Sequence, residues 1–204
     1  MELLIALIII LALALPIYLE IRLRRRIKEV YERYNGGETF VVIDLETTGL
    51  NARKDEITEV GAIKFRNDEV LEEFSTLVNP RKPIPYVVRQ KTGITTEMVK
   101  KAPRFEWIRD DLRTFLNDYP ILGYNLSFDL AFLRRQGLKL SNSTYDILEI
   151  AKRRLPKRTR YGRRRSYRLQ SIARNLGVSS GDAHRALDDA RATTEVFKKL
   201  NQAS

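Results

Sequence analysis

The hydrophobic pattern opens with seventeen uncharged residues, Leu3 to Leu19 (LLIALIIILALALPIYL), and nothing later in the chain resembles them. As a helix the run would extend roughly 26 Å, near the short end of what crosses a bilayer. Pro16 falls in its last turn. Beyond it, Leu23, Ile27, Val30, Tyr31 and Tyr34 recur at helical spacing, so an amphipathic continuation is predicted, which Asn35-Gly36-Gly37 should end. Then the pattern changes. Phe40 to Asp44 is a short apolar run closing on a carboxylate, as a buried strand does, and Ile57 to Phe65 and Val70 to Val78 predict two more strands. Asn79-Pro80 with Pro83 and Pro85 marks a loop. Trp107 to Leu116 has helical spacing and Ile121 to Tyr124 reads as a strand. Leu126 to Arg135 and Thr144 to Arg153 read as helical at least in part, and a long helix reaches Leu200. Strands early and helices interleaved later predict an α/β domain, a mixed central sheet flanked by helices.

The first run has three readings. A core helix would have little to pack against. A cleaved signal peptide fits Ala12-Leu13-Ala14 as a cleavage site, yet its basic residues should precede the apolar run, and here Glu2 precedes it. A transmembrane helix fits the basic cluster that follows: Arg22, Arg24, Arg25, Arg26 and Lys28. By the positive-inside rule this is a single-pass anchor with its N-terminus outside and the remaining domain cytoplasmic. The expected organisation is residues 1–20 as anchor, 21–36 as a basic juxtamembrane helix or linker able to meet anionic lipid, and 37–204 as the domain.

Charge sharpens this division. The net charge of +11 is concentrated in that cluster and in ten cations between Lys152 and Arg168 (KRRLPKRTRYGRRRSYR); the rest has a slight acidic excess. The second patch interleaves Tyr161 and Tyr167 with its cations, which suits phosphates and stacked bases, although a solvated loop or a second lipid contact would show the same composition. There is no cysteine, which excludes disulfide frameworks, thiolate zinc sites and cysteine nucleophiles. A single histidine, His184, excludes a multi-histidine metal site. Any metal must be held mainly by carboxylates, which favours Mg²⁺ or Mn²⁺.

Three segments offer those carboxylates. In Asp44-Leu45-Glu46-Thr47-Thr48-Gly49 the two acids are two apart at a strand end and project to one side, where they repel unless solvated or sharing a cation. In Gly123-Tyr124-Asn125-Leu126-Ser127-Phe128-Asp129 a strand runs into a helix, and helix-dipole stabilisation alone would account for Asp129. In His184-Arg185-Ala186-Leu187-Asp188-Asp189-Ala190 the stripe of Ala186, Ala190, Thr193, Phe197 and Leu200 takes Asp189 with it. Asp188, Arg191, Glu195, Lys198 and Lys199 fall on the opposite side. A carboxylate facing the body must be paired or coordinating. Four carboxylates and one imidazole are the parts for metal-assisted hydrolysis with a general base.

Together VVIDLETTGL, GYNLSFDLAFL and HRALDDA resemble, in order, the three motifs of the DEDD exonucleases in their histidine-containing branch, the group of the proofreading epsilon subunit of bacterial DNA polymerase III. Further similarity covers Glu59-Val60-Gly61-Ala62, Thr92-Gly93-Ile94-Thr95 and Leu169 to Gly177, so the resemblance spans about residues 39 to 200. It implies a ribonuclease-H-like fold. It also implies a 3′–5′ exonuclease that takes single-stranded DNA or RNA by its free 3′ end and releases nucleoside 5′-monophosphates. Asp44, Glu46, Asp129 and Asp189 would then hold two divalent cations, Mg²⁺ or Mn²⁺, and His184 would be the general base. Thr47, Thr48 and Leu50 would line the terminal-nucleotide pocket, with turn formation and packing as their ordinary alternatives. Phe128 could touch a base or simply belong to the core. Tyr124 stands where many relatives have histidine. DNA is the first substrate expected, trimming of short RNA the near alternative, and a non-catalytic nucleic-acid tether at the membrane the alternative of another class. A replication or repair protein stays open as a partner.

Overall fold

The structure, a computed structural model, describes residues 1–159, 161–179, 181 and 184–202, apart from the side chains of residues 2, 3, 6, 7, 9 and 10. It divides into two units, Met1–Glu38 and Thr39–Ser204.

The first unit is one helix, α1 (Glu2–Asn35), with Pro16 inside it. Leu4, Ile8, Leu11, Leu15 and Leu19 are exposed along its first half. In its second half Ile27, Val30, Tyr31 and Tyr34 are buried, the positions that helical spacing singled out. Arg24 pairs with Glu20 and Lys28 with Glu32, one turn apart. Asn35 is the last helical residue; Gly37 follows at φ 78° and Glu38 donates its amide to the Arg33 carbonyl. The expected transmembrane anchor is not shown: among the described residues no helix is long and apolar enough to cross a membrane. Part of the uncharged run, Leu3, Ala6, Leu7, Ile9 and Ile10, has side chains outside the described set.

The second unit is built on five strands, β1 (Thr39–Thr47), β2 (Ile57–Arg66), β3 (Glu69–Leu77), β4 (Ile121–Gly123) and β5 (Thr144–Asp146), in the order β3-β2-β1-β4-β5. The first three form an antiparallel meander, while β4 and β5 add in parallel to β1, giving the expected mixed sheet. Around it lie α2 (Tyr86–Thr92), α3 (Thr96–Lys100), α4 (Phe105–Leu116), α5 (Ser127–Arg135), α6 (Ile147–Arg154), α7 (Leu169–Asn175) and α8 (Ala186–Gln202).

Alternation along β1 sends its residues to two cores. Val41, Ile43 and Leu45 join Leu112 and Leu116 of α4 and Phe132 and Leu133 of α5 in one cluster. On the other face the Phe40, Phe65 and Phe197 rings lie 6.0–6.3 Å apart, which docks α8 on the sheet. Asp44 and Glu46 share the parity of Phe40 and therefore the α8 face. Opposite Asp44 in the register is Gly61, where a Cβ would lie 2.3 Å from the Ala186 backbone. Only glycine lets the start of α8 press this closely on β2.

Two expectations need correction. Thr144 to Asp146 is a strand, paired in parallel with β4, and the helix begins at Ile147, where the Asp146 side chain accepts from the Leu148 amide at 2.9 Å. The loop marked by the prolines is present over residues 79–85, and two short helices not read from the sequence follow it: α2 starts directly after Pro85, and Thr95 caps α3 by accepting from the Met98 amide. Lys198, read as solvent-facing, is buried: its ammonium reaches the Asp68 carbonyl and Glu195 and lies 5.7 Å from the centre of the Phe65 ring.

Candidate active site

The four carboxylates converge because each sits where an element begins or ends. Asp44 and Glu46 occupy the last turns of pleat in β1, just before the register breaks between Glu46 and Thr47. Asp129 lies in the first turn of α5, buried, and accepts the Leu45 amide at 3.0 Å, so it is tied to the backbone between Asp44 and Glu46. Asp189 lies in the first turn of α8, buried on the apolar stripe as its position implied, and Gln170 of α7 donates to it at 2.6 Å. Asp188 instead faces outward and pairs with Arg191 at 2.8 Å.

His184 precedes α8 in a left-handed backbone conformation, φ 69°, which a side-chain-bearing residue adopts at a cost of about 1 kcal/mol. The next residues are clamped. Buried Glu59 of β2 accepts from the Arg185 guanidinium, with the shortest contact at 2.6 Å, and from the Ala186 amide at 2.9 Å. That clasp fixes the backbone on which the imidazole is carried. Among the described residues, Glu46, His184 and Asp189 each offer a ligand atom within 4.8 Å of one another.

Electrostatics shows how crowded the centre is. Burial, then the charges of Asp129, Asp189 and Glu46, hold the Asp44 carboxyl well above its ordinary range. Burial and Asp189 push Glu46 up to about 8, with the Lys91 charge opposing. Burial raises Asp129 against its backbone hydrogen bonds, and raises Asp189 against the Gln170 bond. For His184, burial and then Lys91 lower the imidazole, with Asp189 opposing, so the ring is neutral near pH 7. Hard oxygen donors pressed together with one neutral imidazole fit a divalent cation: positive charge among them removes the repulsion that otherwise holds protons on the carboxyls.

The remaining expected residues divide into two pairs. Thr47, the last residue of β1, and Thr48, the first of the turn after it, are buried; Thr47 donates to the Gly49 carbonyl at 2.6 Å and Thr48 accepts from the Glu56 amide at 3.0 Å. Their hydroxyls serve the turn. Leu50, exposed, and Phe128, half-buried, come together on one open groove of about 630 Å³. Gln170, Glu59 and Lys91 carried no signal in the chain's periodicity. Only the Glu59-Val60-Gly61-Ala62 and Leu169 to Gly177 similarities pointed to their neighbourhoods.

Comparison with known proteins agrees with this geometry. A family model described as Exonuclease, RNase T, matches residues 41–197. The chain is 34% identical over 167 residues to the DNA polymerase III epsilon subunit of Aquifex aeolicus, covering 79% of this chain and 80% of that one. It is 39% identical over 170 residues to the PolC-type DNA polymerase III of Thermotoga maritima, of which it spans only 12%. Among solved structures, Escherichia coli exonuclease I in complex with a dT13 oligonucleotide shares the fold at a TM-score of 0.67 and 23% identity, over 80% of this chain and 40% of that one. Exonuclease X in complex with 5′-overhanging duplex DNA does so at 0.64 and 22%, over 80% and 92%.

Proposed function

The chain belongs to the RNase T exonuclease family, and from that premise we propose that it is a 3′–5′ exonuclease of the histidine-containing type, acting first on single-stranded DNA. The observation that carries the reading is the approach of Glu46, His184 and Asp189 to within 4.8 Å, beside Asp44 and Asp129. Its similarity to a polymerase epsilon subunit supports the 3′ direction and the choice of DNA.

Asp44, Glu46, Asp129 and Asp189 would hold two divalent cations, Mg²⁺ or Mn²⁺. Such cations, when bound, would supply the charge that favours hydroxide and the departing 3′-oxygen. The chain's own residues do the rest. Neutral His184 accepts the proton of the attacking water, and the Glu59 clasp keeps its backbone in place. Water oxygen bonds to phosphorus, the bond to the upstream 3′-oxygen breaks, and a nucleoside 5′-monophosphate leaves. Leu50 and Phe128 flank the groove where the terminal nucleoside would lie.

The test follows 5′-labelled DNA and RNA strands of one sequence with the full chain and its Asp44→Ala variant, in Mg²⁺, Mn²⁺ or EDTA. A metal-dependent ladder shortening from the 3′ end, lost in the variant, is the expected result; greater cleavage of RNA would select the exoribonuclease alternative. No cleavage of either strand would remove the reading.

We also propose that α1 attaches the protein to a membrane with the second unit on the cytoplasmic side. The exposed leucines and isoleucines of its first half and the cations from Arg22 to Lys28 support this. Recovery of the expressed full chain in the aqueous fraction after alkaline washing of membranes would reject it.

A further inference from the structure

The ten cations from Lys152 to Arg168 take no part in the chemistry above. Their described residues fold back on themselves: Thr159 donates its amide to Arg163 at 2.8 Å, Arg165 to Lys157 at 2.9 Å, and Arg158 bridges Arg164 in antiparallel fashion. Gly162, at φ 78°, supplies the turn. Between this hairpin and the end of α6 lies a cleft of about 680 Å³. It is lined by Lys152, Arg153, Lys157, Arg158, Arg164 and Arg165, with Tyr167 and a single acid, Glu149.

Glu149 is paired with Lys152 at 2.6 Å. Two of the arginines bond to neutral acceptors instead, Arg158 to the Gly162 carbonyl at 2.7 Å and Arg165 to the Pro156 carbonyl at 2.8 Å. Such bonds aim a guanidinium without neutralising it, and an arginine cannot shed its proton to relieve crowding. The cleft thus holds an excess of fixed positive charge, which a polyanion would satisfy.

Two ties join it to the carboxylate centre. The Tyr124 hydroxyl, between β4 and the helix that carries Asp129, donates to the Tyr167 carbonyl at 2.6 Å. From Tyr167 the chain runs directly into α7, whose Gln170 holds Asp189. A lipid contact needs neither tie, nor aromatic rings set among the cations; a nucleic-acid strand uses both.

We propose that this cleft is a second, phosphate-binding site that grips a single strand upstream of its 3′ nucleotide, so that a long strand stays held while its end is trimmed. The assignment rests on the exonuclease reading for its direction, and its binding test does not.

The full chain and its R158Q/R164Q/R165Q variant would be compared in EDTA, by fluorescence anisotropy of 5′-labelled oligothymidylates of increasing length across a salt series. The wild type should bind longer strands more tightly. The variant should lose that length dependence, and the slope of log affinity against log salt should fall by about 2, near 0.7 for each of three phosphates no longer neutralised. With Mg²⁺, KM for a long strand should rise about tenfold or more, while hydrolysis of the p-nitrophenyl ester of thymidine 5′-monophosphate, which is too short to reach the cleft, stays unchanged and certifies the fold. Identical slopes and length dependence would overturn the proposal. So would a variant that loses only its binding to phosphatidylserine vesicles. If the wild type cleaves neither the ester nor a labelled strand, the exonuclease reading fails, and the salt slope alone still decides whether the cleft takes nucleic acid.

Discussion

Two regions of the second unit gather charge of one sign, and they resolve the crowding in opposite ways. At the end of β1 four carboxyls are drawn together inside the protein, where burial and mutual repulsion hold their pKa values up. Carboxyls can answer by keeping a proton, or by taking a cation. Along the 157–165 hairpin the like charges of the described residues stand mostly in water, where screening softens repulsion, and guanidinium groups have no proton to give up. The first cluster is a stability problem that a bound cation would relieve; the second costs the fold little and would be relieved by an external anion. Burial, more than charge count, separates a centre built for chemistry from a surface built for holding.

The largest effect that would sharpen this contrast is on turnover. Asp44→Ala should lower kcat by at least about 10³-fold with the long-strand affinity in EDTA nearly unchanged, because the two regions act independently. A parallel loss of EDTA binding would break the distinction. Next comes Gln170→Leu, which frees the Asp189 carboxylate from its 2.6 Å bond. Apparent metal affinity, read from activity against Mg²⁺ concentration, should weaken by about 10–100-fold.

Arg185→Ala strips the main partner from buried Glu59. Denaturant unfolding should show a loss of about 2 kcal/mol, since hydrogen bonds to a charged group are removed and a carboxylate is left buried. A loss within error would mean that water reaches Glu59.

The pH dependence carries a sign that only the acidic region can produce. Glu46 titrates near 8 in the folded chain against an ordinary 4.5, so between those values the folded state binds more protons than the unfolded one. Stability of the metal-free protein must therefore fall as pH rises through about 4.5 to 8, and Asp44→Asn should flatten that fall. Saturating Mg²⁺ should remove it. Thermal unfolding at several pH values, with and without EDTA, checks both; stability rising through the window would contradict the crowding described here. The smallest effect belongs to the hairpin, where R158Q should shift stability by no more than about 0.5 kcal/mol.

Much of this was legible in the sequence. The strands from Phe40, Ile57 and Val70 announced themselves by apolar runs, and the stripe through Ala186, Ala190 and Phe197 turned Asp189 inward by helical angle alone. Three-residue β5 was not legible, because unlike the apolar Ile121-Leu122 of β4 it carries Thr144 and Asp146 around one Tyr, and a helix signal follows at once. Lys198 was misplaced because a helical wheel knows angle and not depth: a long side chain can carry its ammonium near an aromatic ring to a distant carbonyl. Gln170 and Glu59 act through hydrogen bonds to residues far along the chain, and no local pattern encodes such a partnership.

The close seat of α8 on Gly61 has a consequence for synthesis. Asp44 and Glu46 emerge early, whereas His184 and Asp189 enter only with the final helix, whose docking closes one of the longest loops in the chain. A nascent or truncated chain that lacks His184 and α8 keeps Asp44, Glu46 and Asp129 but has neither the imidazole nor the fourth carboxylate. On the exonuclease reading, such a chain should leave nucleic acid uncut until α8 has docked.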